Sequence, residues 1–186
     1  MIINYYKLDG TKGFDPSIPA AAQTQLTNAA KVFTDAFTDN ITINFQVSFT
    51  SLGPTKSNVL GQSNANFVAS TTYSGANKLL QSMVDDRTSA DDVTALANLP
   101  ATDAHSYILT RSNAKALGMI ASDDALDGKI TFNSDFTFDF THSGTAGNLS
   151  NAANYDFFGV ATHEISELMG RNSFVDRKST RLNSSH

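Results

Sequence analysis

The segment around His163 holds the residues whose types and spacing are best suited to chemistry. His163 is followed directly by Glu164, and Glu167 stands four positions after the histidine. In the zinc-binding motif H-E-x-x-H, two histidines one helical turn apart share an ion, and the glutamate between them is a general base. Here Glu167 replaces the second histidine. The longer motif H-E-x-x-H-x-x-G-x-x-H is kept at Gly170 but has Ser173 in place of its last histidine.

A histidine and a glutamate at this spacing can hold one divalent cation on a helix. Zinc binds imidazole nitrogen and carboxylate oxygen at similar distances of about 2.0–2.2 Å. Glu164, about 100° further round the helix, would then take a proton from a water whose pKa the ion lowers toward about 7. We therefore predict His163 and Glu167 as metal ligands, Glu164 as the catalytic base, and Zn²⁺ or another divalent ion as the cofactor. A solvated helix face on which His163 simply pairs with Glu167 fits the same residues, so the pattern alone leaves both interpretations open.

Other ligand candidates are weaker. His105 and His142 have no partner at ligand spacing, and His142, in a polar stretch before the helix, is the better of the two. His186 lies in an unusual C-terminal tail. The carboxylates of 123–127 suit calcium, but their spacing is not that of an EF-hand, and a turn between a helix and a strand fits better. The chain has no cysteine, so any transition-metal site must use His, Asp, Glu and water.

Length and charge limit the class of protein and of partner. With 186 residues and 40% hydrophobic content, we expect one domain over residues 1–175. A net charge of −5 argues against nucleic acid or an anionic membrane as the main partner and leaves a small solute, a peptide or a protein, of which we expect a peptide or protein substrate. No apolar window reaches the length of about 20 residues that a membrane span needs, and residues 1–15 show no signal peptide. Residues 176–186 are basic and polar and resemble translated sequencing-adapter read-through, so we expect a non-native tail and an incomplete domain.

Periodicity predicts the elements that position these residues. Apolar residues at spacings of three and four predict a helix from Pro19 to Phe37, with Ser17 as N-cap, and another over 155–169. Strict alternation predicts a strand with one buried face over 41–49. The remaining predictions are a loop over 61–66, strands over 67–73, 107–110, 129–133 and 137–140, the last two as a hairpin, and helices over 75–86, 89–99 and 111–117.

Several segments together resemble one protein family. They are 39–47, 90–92, 99–103, 110–118, 126–128 and, above all, YDFFGVATHEISELMGR over 155–171. This set resembles exported bacterial zinc metalloproteases of the zincin, metzincin-like type, in the variant that carries H-E-x-x-E followed by a hydrophobic residue, Met, Gly and Arg. The resemblance implies an α+β fold with a twisted mixed β-sheet packed on an N-terminal helix and a C-terminal metal-site helix, truncated after that helix. It also implies secretion or a cell-surface location.

The resemblance assigns roles that agree with the motif. His163 becomes a zinc ligand, Glu164 the base that activates water, and Glu167 stands at a ligand position. We expect a zinc endopeptidase-like hydrolase, with Lys129–Asn133 as the strand to which an extended substrate adds. The alternative is a catalytically inactive zincin-derived binding domain of an exported or cell-surface protein. A third ligand near the pair would favour the enzyme, and an empty first coordination shell would favour the binding domain.

Overall fold

The fold is described by a computed structural model, which covers residues 1–68, 71–72, 82–83, 93–94, 97–98, 106–141 and 154–171. Within these residues the strands are β1 (Ile2–Tyr6), β2 (Thr42–Thr50), β3 (Gly61–Ala65), β4 (Thr71–Thr72), β5 (Ser106–Tyr107), β6 (Gly128–Asn133), β7 (Phe138–Asp139) and β8 (Tyr155–Asp156). The helices are α1 (Ala20–Ala36), α2 (Arg111–Ala116) and α3 (Phe157–Leu168), with a 3-10 turn at Pro54–Lys56. The α+β class predicted from the sequence is confirmed.

The main sheet has four strands in the order β1-β2-β6-β3. β1, β2 and β6 run parallel to one another, and β3 pairs antiparallel with β6 at the edge. The sheet is therefore mixed, as expected. β6 has a neighbour on each side, so Lys129–Asn133 is a central strand and the prediction that it receives a substrate strand is wrong. Two short pairs, β4 with β5 and β7 with β8, lie outside this sheet.

Strand β2 is buried on both faces, although its alternation predicts only one buried face. Ile43, Phe45 and Val47 are buried, and so are the polar residues Asn44, Gln46 and Ser48 next to them, whereas Phe49 is partly buried. The Asn44 amide donates to the carbonyls of Asp123 and Ala125, and the Gln46 amide donates to that of Lys7. Because loops supply hydrogen bonds to these side chains, polar residues line the second face at no large desolvation cost.

The core lies between the sheet and the two long helices. α1 buries Ala22, Leu26 and Ala29 completely, and it packs against α3. The Phe157 ring at the start of α3 lies 4.6 Å from the Phe132 ring of β6, measured between ring centroids. This contact anchors α3 on the central part of the sheet and thereby fixes the helix that carries the motif.

Several sequence predictions differ from the structure. Residues 61–65 of the polar segment predicted as a loop over 61–66 form β3, because all five of them pair with β6. The predicted hairpin of 129–133 with 137–140 is wrong, since β7 pairs in parallel with β8. α1 begins after Pro19 with no side-chain cap, so Ser17 is not its N-cap. β1 was not predicted at all.

Other predictions are confirmed only in part or lie beyond the described residues. A strand at the start of 107–110 and a helix over 111–117 are present as β5 and α2, and Gly118 follows that helix with φ +66°. Of the strand predicted over 67–73, the described residues show an isolated bridge at Phe67 and the short β4, and residues 69, 70 and 73 lie outside the described part. The helices predicted over 75–86 and 89–99 fall outside the described residues, except for 82–83, 93–94 and 97–98.

Candidate functional site

Helix α3 carries His163, Glu164 and Glu167, and local interactions set where it begins. Tyr155 and Asp156 pair with β7, so the helix begins at Phe157 instead of the predicted Tyr155. The Asp156 carboxylate accepts a hydrogen bond of 3.0 Å from the Phe158 amide and caps the first turn. The capped start and the buried apolar face hold the helix in one rotational setting relative to the sheet.

The helix ends at a glycine that no other residue can easily replace. Gly170 has φ +108°, and a Cβ built there would lie 1.9 Å from the side-chain oxygen of Asn113. The Asn113 amide donates to the Met169 carbonyl at 3.1 Å, which satisfies a carbonyl at the helix end. Gly170 therefore turns the chain away from α3 and lets helix α2 contact its end.

His163 and Glu167 lie together, as their spacing predicts. Nε2 of His163 is 3.1 Å from Oε1 of Glu167, and the two side chains are 53% and 31% exposed. An imidazole and a carboxylate at this separation, open to solvent, suit either a shared cation or a simple hydrogen-bonded pair. The structure thus brings the two predicted ligands together on the solvent-facing side of the helix.

Glu164 is buried, whereas the helical pattern places it on the polar face with His163. Only 5% of its surface is exposed, and its Oε2 has no hydrogen-bond partner among the described residues. β3 covers it: a Cβ built on Gly61 would lie 3.0 Å from Oε1 of this carboxylate. The pattern failed here because it could not reveal that an edge strand passes over this side of the helix.

The surroundings of Glu164 make it the most perturbed carboxyl beside the motif. Burial, and to a smaller extent the nearby Glu167 carboxylate, raise its pKa from 4.5 to about 7. The Ser63 hydroxyl and the Arg171 guanidinium act in the opposite direction but are weaker. A carboxyl with a pKa near neutrality can both accept and return a proton at neutral pH, which is the property of a general base.

Two side chains beside the motif were not identified as site residues from the sequence. The Ser63 hydroxyl donates a 2.5 Å hydrogen bond to Oε2 of Glu167. An Arg171 nitrogen lies 2.9 Å from Nδ1 of His163, and its Nε donates to the Ser166 hydroxyl at 2.6 Å. Arg171 stands in the resemblance segment, so its position after the glycine was a signal. Ser63 had none, because its segment was predicted to be a loop.

The donor set fits a divalent cation in type but is incomplete in number. His163 and Glu167 provide a nitrogen and an oxygen that zinc accepts. Arg171 can only donate, so Nδ1 of His163 acts as acceptor and the ring proton sits on Nε2, directed at Glu167. Across 1–68, 106–141 and 154–171, together with the shorter described pieces, no three His, Cys, Asp or Glu side chains cluster as metal ligands. His105, His142, Ser173 and His186 lie outside the described residues.

The acidic segment that might have bound calcium is engaged by cations of the protein itself. Asp127 is fully buried and lies 2.7 Å from the Lys115 ammonium, which is also fully buried. Arg111 contacts Asp123 at 2.6 Å and Asp127 at 3.3 Å, while Asp124 is exposed. These pairs join α2 to the segment before β6. The arrangement suits the predicted turn between a helix and a strand.

Comparisons of this chain with protein-family models, with curated proteins and with solved structures found no match. No helix in the part of the chain that the structure describes is both long enough and apolar enough to span a membrane.

Proposed function

We propose that this protein is a metal-dependent peptide hydrolase of zincin-like design, in which His163 and Glu167 hold a divalent cation, zinc by preference, and Glu164 is the general base. The observation that carries the proposal is the Glu164 carboxyl. It is buried, has an unpartnered oxygen, has a pKa of about 7, and lies beside a histidine–glutamate pair on one helix. A buried carboxyl of this kind is costly to the fold, and such costs concentrate at functional sites.

The proposed chemistry divides between the cation and Glu164. A zinc ion held by His163 and Glu167 would supply Lewis acidity toward a water and a peptide carbonyl. Glu164 takes one proton from the attacking water as its oxygen adds to the carbonyl carbon. Glu164 then returns the proton to the amine nitrogen when the C–N bond breaks, so it ends the cycle as it began. A pKa of about 7 suits both transfers.

The edge strand β3 is the proposed place for an extended substrate, in place of the predicted Lys129–Asn133. β3 stands at the end of the sheet order, with β6 on one side. Its inward face lies against Glu164 at Gly61 and against Glu167 at Ser63. A peptide that added by main-chain hydrogen bonds to the edge of β3, which pairs with no other strand among the described residues, would pass close to these carboxylates. The proposal includes secretion or a cell-surface location, which the family resemblance favours.

The competing function is a zincin-derived binding domain without catalysis. Two contacts favour it: His163 already pairs with Glu167, and its other ring nitrogen already accepts from Arg171. A site of only two protein ligands would bind zinc weakly. Metal binding distinguishes the two functions: one bound metal ion with a third protein ligand supports the hydrolase, and no bound metal supports the binding domain.

The test is zinc stoichiometry and peptide cleavage of the purified full chain. We expect one zinc per wild-type chain, none in His163→Ala, and a full equivalent in Glu164→Gln with cleavage abolished. His186→Ala is the matched control for loss of an imidazole and should bind zinc like the wild type. His105→Ala and His142→Ala identify a third ligand by loss of affinity. A folded wild type that takes up no zinc would refute the hydrolase and leave the binding domain.

A further inference from the structure

Ser63 occupies the middle of β3, on the face that lies against α3. Residues 61, 63 and 65 of this strand are partly buried, and residues 62 and 64 between them are exposed. All three inward residues are small: glycine, serine and alanine. Ser63 alone among them carries a hydrogen-bonding side chain, and it points at the site.

The two carboxylate oxygens of Glu167 have different partners, and the Ser63 hydroxyl is the partner of one of them. It donates to Oε2 at 2.5 Å, which leaves Oε1 directed at Nε2 of His163 at 3.1 Å. The contact joins residues 104 positions apart in the chain, so only the fold brings them together. A glutamate side chain has several rotatable bonds, and a fixed donor on a strand removes much of that freedom before any ligand binds.

We propose that Ser63 is the positioning residue of this site: its hydroxyl orients the Glu167 carboxylate so that Oε1 stays beside His163 and can bind a cation together with it. The inference rests on the proposed function, because Glu167 must be a ligand for its orientation to matter. It also gives a reason for the departure from H-E-x-x-H. A carboxylate is a longer and more mobile ligand than an imidazole, and it is a pure acceptor that suits a hydroxyl donor on the adjacent strand.

The test is the zinc affinity of the full chain, measured by competition with a chromophoric chelator. Orienting partners of metal ligands typically contribute about 10–100-fold in affinity. We expect Ser63→Ala to weaken zinc binding by roughly that factor, and Ser63→Thr, which keeps the hydroxyl and suits a strand, to restore most of it. Ser51→Ala is the matched control, because Ser51 makes a similar 2.7 Å bond to the Asp135 carboxylate in an exposed position. It should leave the affinity unchanged.

A double-mutant cycle separates positioning from general support of the fold. In a Glu167→His background, which keeps a metal ligand at this position but removes the carboxylate that Ser63 contacts, Ser63→Ala should cause little further loss of affinity. A purely structural role would instead lower thermal stability while zinc affinity stayed the same, and that result would overturn the inference. If the wild type binds one zinc and Ser63→Ala binds it as tightly, the inference fails and the proposed function stands. If the wild type binds no zinc, both fail.

Discussion

Replacing Glu164 by glutamine should stabilise the metal-free protein, and only at neutral and alkaline pH. The wild-type side chain is 5% exposed, and burial is the main reason that its pKa lies at about 7 instead of 4.5. Above that pH the folded protein must hold a buried negative charge beside Glu167. Glutamine has nearly the same shape as the protonated acid and carries no charge, so Glu164→Gln removes this cost and leaves the packing below Gly61 unchanged.

The size and sign of the effect follow from proton linkage. Between pH 4.5 and about 7 the folded state holds a proton on Glu164 that the unfolded chain has released. The stability of the wild type therefore falls as pH rises through this window. One pKa unit corresponds to about 1.36 kcal/mol, so the full cost above the window is on the order of 3 kcal/mol. For a chain of this length, each kcal/mol shifts Tm by about 2–4 °C.

The assay is thermal or urea unfolding in the presence of a chelator at about pH 4.5, 6 and 8. We expect Glu164→Gln to match the wild type at the lowest pH and to melt on the order of 6–12 °C higher at about pH 8. Asp124→Asn, which removes one exposed carboxylate, controls for the change in net charge and should show no such growth with pH. A stability difference that does not change across the window, or a variant less stable at about pH 8, would refute the argument that burial perturbs Glu164.

Three further predictions test the surroundings of the site. Arg171→Gln should raise zinc affinity about fivefold, measured by chelator competition, because it frees the imidazole nitrogen from a donor worth about 1 kcal/mol. An unchanged or weaker affinity would contradict this. Gly170→Ala should lower the free energy of unfolding by about 2–3 kcal/mol, because it combines a positive φ with a close contact, whereas Gly118→Ala, with φ +66° and open space, should cost about 1 kcal/mol. Equal losses in urea titrations would refute the steric part. Lys115→Met should cost about 3–5 kcal/mol by leaving its buried aspartate partner without the ammonium, while Lys31→Met on the exposed face of α1 should change little. Similar costs for both would contradict the burial argument.

The elements that were predicted well are those whose apolar residues repeat at the spacing of the helix or strand that they form. Helix α1 and strand β2 were found because their apolar residues repeat at helical and strand spacing. β3 was missed because its sequence, Gly-Gln-Ser-Asn-Ala, has no apolar face. Its conformation is set by pairing with β6 and by the need for small residues against α3, and both are tertiary constraints. β7 was mispaired for a similar reason: proximity in sequence suggested a hairpin, but its partner lies next to α3.

At the site, spacing predicted which residues lie together but not how deeply they are buried. The four-residue interval of His163 and Glu167 places both side chains on one face of the helix, within reach of each other, and Nε2 and Oε1 lie 3.1 Å apart. The burial of Glu164 depends on β3, which packs against the helix at Gly61, and the sequence around the motif does not indicate which strand lies there. The motif therefore predicts Glu164 as the general base, which stays a prediction, and the fold provides the environment that raises the pKa of this carboxyl to about 7.

In the proposed site, a cation would compete with the ring proton of His163 and with the Arg171 contact for the imidazole. Ser63 holds one oxygen of Glu167 and leaves the other for His163, which favours a bound cation. Arg171 holds the opposite ring nitrogen in the acceptor form, which keeps the ring proton where a metal would bind. A cation bound as proposed would have to displace that proton and the Arg171 contact, and it would meet a Glu167 carboxylate already held by Ser63. Removing the serine and removing the arginine should therefore change zinc affinity in opposite directions, and a simple hydrogen-bonded helix face would give neither change.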